Sequence, residues 1–275
     1  MIVEMLNNET VANRAELAGT LLEMAEPLGA EAAEATFISR PREDGRSLIK
    51  TLLDSNEREV RLAVIGRLEG LIGVLSLDKS NAILQEIRAL RADANWRVRH
   101  AVLKLLPGLA DMMDQIRFDH LFIRDESERK FDEDFEDGSK DNCALIRSDW
   151  VYTCNQLGQK YGSEWLIRNV VPIVLERAKD KDYKTRAVLL DAIAHLPQLH
   201  SEEVLESSLL QPALATEQDR VPNLRLLLAL TMGVLRASDA ISAETKQTKI
   251  DPCLEKLKSD NDDDVVRAAT NALSL

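Results

Sequence analysis

The apolar residues of this chain keep one recurring register, and arginine marks it. Behind Arg99 come Val102, Leu106 and Leu109, at +3, +7 and +10. Those positions share one face of a helix. Six residues ahead of the arginine stands Asp93, a residue type that turns the chain and caps the helix that follows. The same word recurs around Arg14, Arg61, Arg147, Arg186, Arg225 and Arg267. Its leading residues there are Asn8, Ser55, Asp141, Asp180, Asp219 and Asn261, all short and polar. The +3 residues are Leu17, Val64, Trp150, Leu189, Leu228 and Thr270, and the +7 residues Leu21, Leu68, Cys154, Ile193, Met232 and Ser274. Met24, Leu71, Leu157, Leu196 and Leu235 complete the set at +10. Successive arginines are 47, 38, 48, 39, 39 and 42 residues apart. A period near 39 with two lengthened units is the mark of a helical repeat.

Each word predicts a pair of helices. In the first unit, residues 1–8 are the end of one helix, and Asn8 caps a second over about 11–28. The array therefore starts partway through a unit, as a piece of a longer array or with a degenerate first repeat. Unit two pairs 47–53 with 59–75, the latter carrying the stripe Ile65, Leu68, Ile72 and Leu75. Unit three pairs 82–90 with 96–112, which Pro107 bends. Units five and six pair 165–177 with 183–196 and 202–214 with 222–235. The last pairs 251–258 with 263 to the end, where Asp263 and Asp264 suit a helix start. Two stretches break the register. Residues 36–47, with Pro41 and Gly45, predict a surface loop or a partner-binding loop. Residues 120–142 are crowded with acids and predict a solvated loop. A calcium loop centred on Gly138 fails, because Phe135 and Ala144 fall on ligand positions. The first helix of unit four then lies upstream, about 116–123, or is lost.

Composition narrows the function. A hydrophobic content of 45% with 4% aromatics suits aliphatic helix packing. A net charge of −12 argues against nucleic acid as the main partner. Cys143, Cys154 and Cys253 form no CxxC pair, so neither a zinc site nor a disulfide framework is predicted, and a reducing compartment is. No signal-peptide pattern and no run of about 18 apolar residues is present, so no membrane role is expected. Cytoplasm or nucleus is the expected location. His195 and His200 are five apart, off a shared helical face for a metal pair. There is no GxSxG, glycine-rich phosphate loop or HExxH. No catalytic, cofactor-binding or metal-ligating residue is assigned, and the chain is not read as an enzyme.

The turn between paired helices is the informative place, because stacked units line their turns into a ridge. Glu57, Arg58, Trp96, Arg97, Asp182, Tyr183, Arg220 and Asp263 are the candidate ridge residues for a protein partner. A Trp beside an Arg is the usual make-up of a binding hot spot. The repeated arginine is read as structural, bridging to the capping Asp or carbonyls of the adjacent unit.

The cap-and-arginine word resembles HEAT repeats. More closely, the chain resembles the C-terminal part of the scaffold (A) subunit of protein phosphatase type 2A. The likeness lies in Glu59-Val-Arg-Leu62, Asn95-Trp-Arg-Val-Arg99 with Pro107, Tyr161-Gly-Ser-Glu-Trp165 with Val171-Pro172, and Leu254-Glu-Lys-Leu257 with Ala272-Leu-Ser-Leu275. It covers most of residues 50–275. The fold expected from periodicity and resemblance is an all-α solenoid of about seven HEAT-like pairs in a curved right-handed superhelix, a single array over 1–275. The resemblance implies a non-catalytic scaffold that holds the phosphatase catalytic subunit at Trp96, Arg97 and Tyr183. It implies no regulatory-subunit binding, since the repeats that hold that subunit in the family have no counterpart here. The acidic stretch stands where the family has a helix, and Ala144 where it has an aromatic. The alternative is a HEAT-repeat adaptor of the transport-receptor kind, binding a peptide on its second-helix faces. A DNA-acting enzyme on a helical-repeat scaffold is a third reading.

Overall fold

The computed structural model describes residues 9–39, 45–125, 130–131 and 133–274. The expectations for residues 1–8, Pro41 and the acidic residues Glu126, Glu128 and Asp132 lie outside the described residues. The chain is an all-α helical-repeat fold, apart from a two-residue antiparallel pair, β1 (Arg124–Asp125) and β2 (Lys130–Phe131). It divides into two compact units at Phe135/Glu136.

In the first unit, α1 (Val11–Glu23) packs on α3 (Arg58–Ile65). The pairs α2 (Leu48–Leu53) with α5 (Asn81–Leu90), and α4 (Leu68–Leu75) with α6 (Trp96–Met112), pack alongside, and α7 (Gln115–Phe122) closes on α5. In the second unit, α8 (Ala144–Tyr161), α11 (Tyr183–His195), α12 (Pro222–Ala237) and α14 (Asp263–Ser274) lie side by side in that order. The first helices α9 (Ser163–Asn169), α10 (Val171–Arg177) and α13 (Asp251–Leu257) back them. Cross-links between first helices include Lys50 to Glu86 at 2.8 Å and Lys249 to Glu206 at 2.8 Å.

The five words from Arg61 to Arg225 bury all their apolar positions. Val64, Val102, Trp150, Leu189 and Leu228 are sealed, as are Leu68, Leu106, Cys154, Ile193 and Met232, and Leu71, Leu109, Leu157, Leu196 and Leu235. Each such side chain moved out of water contributes about 1.5–3 kcal/mol, so the stripe is the core.

The two end words depart. Around Arg14, Leu17 and Leu21 are half-buried and Met24 is exposed. Ala18, Leu22 and Ala25 fill the core one residue later. Around Arg267, Thr270 and Ser274 face solvent while Ala269 is buried. The preceding turn explains the slip: Asp260, not Asn261, occupies the leading position and takes the amide of Asp262 at 2.9 Å. Val266, not Arg267, then stands at the arginine's register, and Arg267 pairs on the surface with Asp264 at 2.6 Å.

Several boundaries also differ. The predicted helix over 11–28 bends at Met24 into Ala25–Leu28, and its cap is Thr10, whose hydroxyl accepts from the Asn13 amide. The predicted 59–75 helix breaks after Ile65, where Gly66 weakens the helix and Arg67 leaves it to reach Glu23 at 2.7 Å. Its stripe survives the break, because Ile65, Leu68, Ile72 and Leu75 are all buried. The predicted 165–177 helix breaks at Val170, ahead of Pro172. Helix α6 runs through Pro107 as predicted. Part of the predicted 36–47 loop is a π-helical turn, Ala35–Ser39, that buries Phe37.

The acidic stretch corrects a larger expectation. A helix, Glu133–Lys140, stands immediately ahead of Asp141, where the charge run predicts a loop. Phe135 and Ser139, four apart, are buried on one face, and the Ser139 hydroxyl accepts from Arg177 Nε at 2.9 Å. The upstream helix expected at 116–123 is also present as α7.

Candidate protein-binding site

The corners between paired helices are built by the repeated arginine. In the expected cap role, the residue six ahead of it would bond the helix's first amides directly. Instead it makes a turn two residues earlier: Asp93, Asp141, Asp180 and Asp219 accept the amides of Asn95, Cys143, Asp182 and Val221 at 2.7–2.9 Å. The helix N-cap is therefore the residue four ahead of the arginine, Glu57, Asn95, Cys143, Asp182 or Val221. Asn95 and Asp182 cap with their own side chains, accepting from Arg97 N and Lys184 N.

The arginine then closes the corner from inside. Nη1 of Arg61, Arg99, Arg147, Arg186 and Arg225 donates to the backbone carbonyl of its own leading residue, at 2.5, 2.7, 2.6, 3.0 and 2.8 Å. In Arg61, Arg186 and Arg225 the other edge of the guanidinium reaches the leading carboxylate of the next unit. Arg186 forks onto Asp219 with two 3.0 Å bonds, and Arg225 forks onto Asp260 at 2.6 and 2.7 Å. Arg61 meets Asp93 at 3.1 Å, whereas Arg14 meets the N-cap Glu57, two residues past the leading Ser55, at 2.8 Å. The ladder expected from the sequence thus has its carboxylate in the neighbouring unit and its carbonyl in the arginine's own turn. The Arg225 and Asp260 side chains are only 13% and 7% exposed. Arg225 holds the Asp260 carboxyl below the usual carboxylate range, against the opposing effect of burial, and Asp260 raises Arg225. Forked, partly desolvated pairs of this kind are the strong ones.

The predicted ridge residues fall into two sets, one per unit. Glu57, Arg58, Trp96 and Arg97 stand on the corners of the first, and Asp182, Tyr183, Arg220 and Asp263 on those of the second. Trp96 and Arg97 open α6. Trp96 is half-buried and Arg97 exposed. The Arg97 guanidinium lies 4.4 Å from the Trp96 ring centroid, and the His100 ring one turn on is 6.3 Å away at 52°. Arg97 makes no ion pair among the described residues. Arg58 is exposed and turned onto Glu59 at 2.7 Å. Glu57 is committed to Arg14 and so is a rung of the ladder. Tyr183 is half-buried at the start of α11, beside its exposed cap Asp182, while Arg220 and Asp263 are exposed.

Among the described residues no group of three His, Cys, Asp or Glu could hold a metal ion. His200 is buried with Nε2 2.6 Å from the Ile193 carbonyl, and His195 Nδ1 lies 2.9 Å from the Asp191 carbonyl. Burial pushes the Cys154 thiol well above its usual range, and burial with Glu217 beside it pushes Cys253 up to about 12, so neither is a thiolate at neutral pH. No described helix is long and apolar enough to cross a membrane.

One surface escaped the sequence reading. Leu145, Tyr152, Leu230 and Val234 are 46, 58, 52 and 41% exposed, all on second helices of the second unit. Counting five residues on from Arg147, Arg186 and Arg225 would have found Tyr152, Asp191 and Leu230 at equivalent positions.

No protein-family model matches the sequence. No curated protein matches it either. Among solved structures, a karyopherin chain from the complex in which Kap95p binding moves the switch loops of RanGDP to their GTP-bound conformation is similar at TM-score 0.60 and 13% identity. That match covers 99% of this chain and 35% of the other, so this chain spans about a third of that chain's length. A designed armadillo repeat protein in complex with a (KR)4 peptide aligns at TM-score 0.47 and 15% identity, over 82% of this chain and 96% of that one. The karyopherin likeness agrees with the packing described above: the chain has the fold of an α-helical repeat solenoid.

Proposed function

We propose that this chain is a non-enzymatic scaffold that docks a protein partner on its repeat corners. The partner we assign is the catalytic subunit of a type 2A serine/threonine protein phosphatase, in the cytoplasm or nucleus. The observation that carries the docking claim is the Trp96–Arg97 corner, a large ring half out of water beneath an exposed guanidinium with no ion pair among the described residues. Tryptophan and arginine are the residues that most often dominate interface energetics. The choice of partner rests on the sequence resemblance, which runs through this same Asn95-Trp-Arg segment. The test is recovery of the purified phosphatase catalytic subunit on the immobilised chain, compared with the Trp96→Ala/Arg97→Ala variant. Hot-spot losses of about 2 kcal/mol or more correspond to roughly thirtyfold weaker binding, so the variant should recover little. Equal recovery by both proteins would overturn the proposal.

A second reading, an adaptor of the transport-receptor kind that grips a peptide along its second helices, draws support from the exposed apolar residues of α8 and α12. The fold likeness to a karyopherin chain is compatible with it.

A further inference from the structure

The second helices of the second unit carry an unusual row. Tyr152 on α8, Asp191 on α11 and Leu230 on α12 each lie five residues beyond the ladder arginine of their repeat. The helices are neighbours in that order, and the Thr231 hydroxyl donates to the Leu190 carbonyl at 3.3 Å, which sets Leu230 level with Asp191. Leu145 and Val234 extend the apolar surface along α8 and α12, and Leu226, half-buried, continues the α12 stripe. Tyr152 and Leu230 are more than half exposed, where the corresponding sides of the helices would ordinarily carry polar residues.

Between the two apolar flanks, Asp191 is the odd member. Its backbone carbonyl faces His195 Nδ1, but its carboxylate makes no hydrogen bond or ion pair among the described residues. It is half-buried, and desolvation raises its pKa, with His195 and then Arg147 pulling it back. A partly desolvated carboxylate without a hydrogen-bond partner costs stability, and an incoming donor would remove that cost.

We propose that Tyr152, Asp191 and Leu230 form a binding row for an extended peptide segment that presents one lysine or arginine between two apolar side chains. The charge of the row selects a basic group at its centre, and the exposed ring and leucine select apolar groups on both sides. Packed helices stand about 8–10 Å apart, and a peptide in the extended polyproline-II form, with three residues per turn and a rise of about 3.1 Å, returns to the same face every third residue, about 9 Å on. The apolar side chains should therefore fall about three residues before and after the basic one. This row is separate from the corners and does not depend on the phosphatase assignment.

The test is fluorescence polarisation of the full chain with a labelled peptide carrying leucine three residues either side of a central arginine. The wild-type chain should bind it saturably. Asp191→Asn, Tyr152→Ala/Leu230→Ala, and a peptide with the arginine changed to glutamate should each weaken binding by about tenfold or more, as expected for loss of a charged hydrogen bond or of the apolar flanks. Trp96→Ala/Arg97→Ala should leave peptide binding unchanged, and Asp191→Asn should leave recovery of the catalytic subunit unchanged, which separates this proposal from the corner site. Thermal melts of the variants exclude a folding defect, since the replaced side chains lie outside the core. Absence of binding by the wild type, or equal binding by Asp191→Asn or by the glutamate peptide, would overturn the row.

Discussion

At the scale of single residues, the arginine that defines the repeat works in two directions at once. Nη1 of Arg225 closes its own turn on the Asp219 carbonyl, while Nε and Nη2 fork onto Asp260 of the next unit. Removing it leaves a mostly buried carboxylate without its cation, so Arg225→Ala should cost about 2–4 kcal/mol in denaturant unfolding. The pH dependence follows from the Asp260 shift. Its carboxyl is held below the usual range in the folded chain by Arg225. The stabilisation is therefore complete above the unfolded carboxylate pKa of about 3.9 and fades as pH falls through the lower folded value. Wild-type stability should drop through that acid window more steeply than that of Arg225→Ala. Parallel profiles would mean the pair contributes nothing.

The same residue scale explains where the sequence misleads. The word is anchored on arginine, and five times the arginine, the turn and the apolar stripe agree. At the last repeat Arg267 is one position late, since the Asp260 turn assigns the inward register to Val266. Charge type alone could not reveal that slip. The exposed Thr270 and Ser274 at nominal core positions were its trace in the sequence.

At the scale of elements, helices whose signals are local were legible. The span of α6 follows from Asn95 ahead of it and a stripe that continues through Pro107, because neighbouring packing holds a bent helix in place. The helix Glu133–Lys140 was not legible. Its acids read as a solvated run, while the two residues that dock it, Phe135 and Ser139, are sparse and one is polar. Ser139 acts through Arg177, a residue thirty-eight positions away, and no local pattern announces that partner. Ser139→Ala should therefore cost about 1–3 kcal/mol, the penalty for stripping a hydrogen bond from a buried charged group. Hydrogen exchange should show the loss concentrated in residues 133–140 and around Arg177. An unchanged exchange rate there would contradict the docking role given to this pair.

At the scale of the whole molecule, the chain offers two kinds of surface with different chemistry. The corners of the first unit present Trp96 under Arg97 and an exposed Arg58, and those of the second an exposed Arg220, on a chain of net charge −12. The second-helix face of the second unit presents apolar residues around a carboxylate. The corner residues were readable because turn positions sit at fixed offsets from the arginine. The face was not, because leucine and tyrosine on a helix look like core until neighbouring helices are placed. The most direct test of the account is hydrogen-exchange footprinting of the chain with and without the phosphatase catalytic subunit. The account predicts slowed exchange at the corners around residues 95–100 and 182–187. Protection confined to residues 145–156 and 226–234, or no protection at saturating partner, would contradict it.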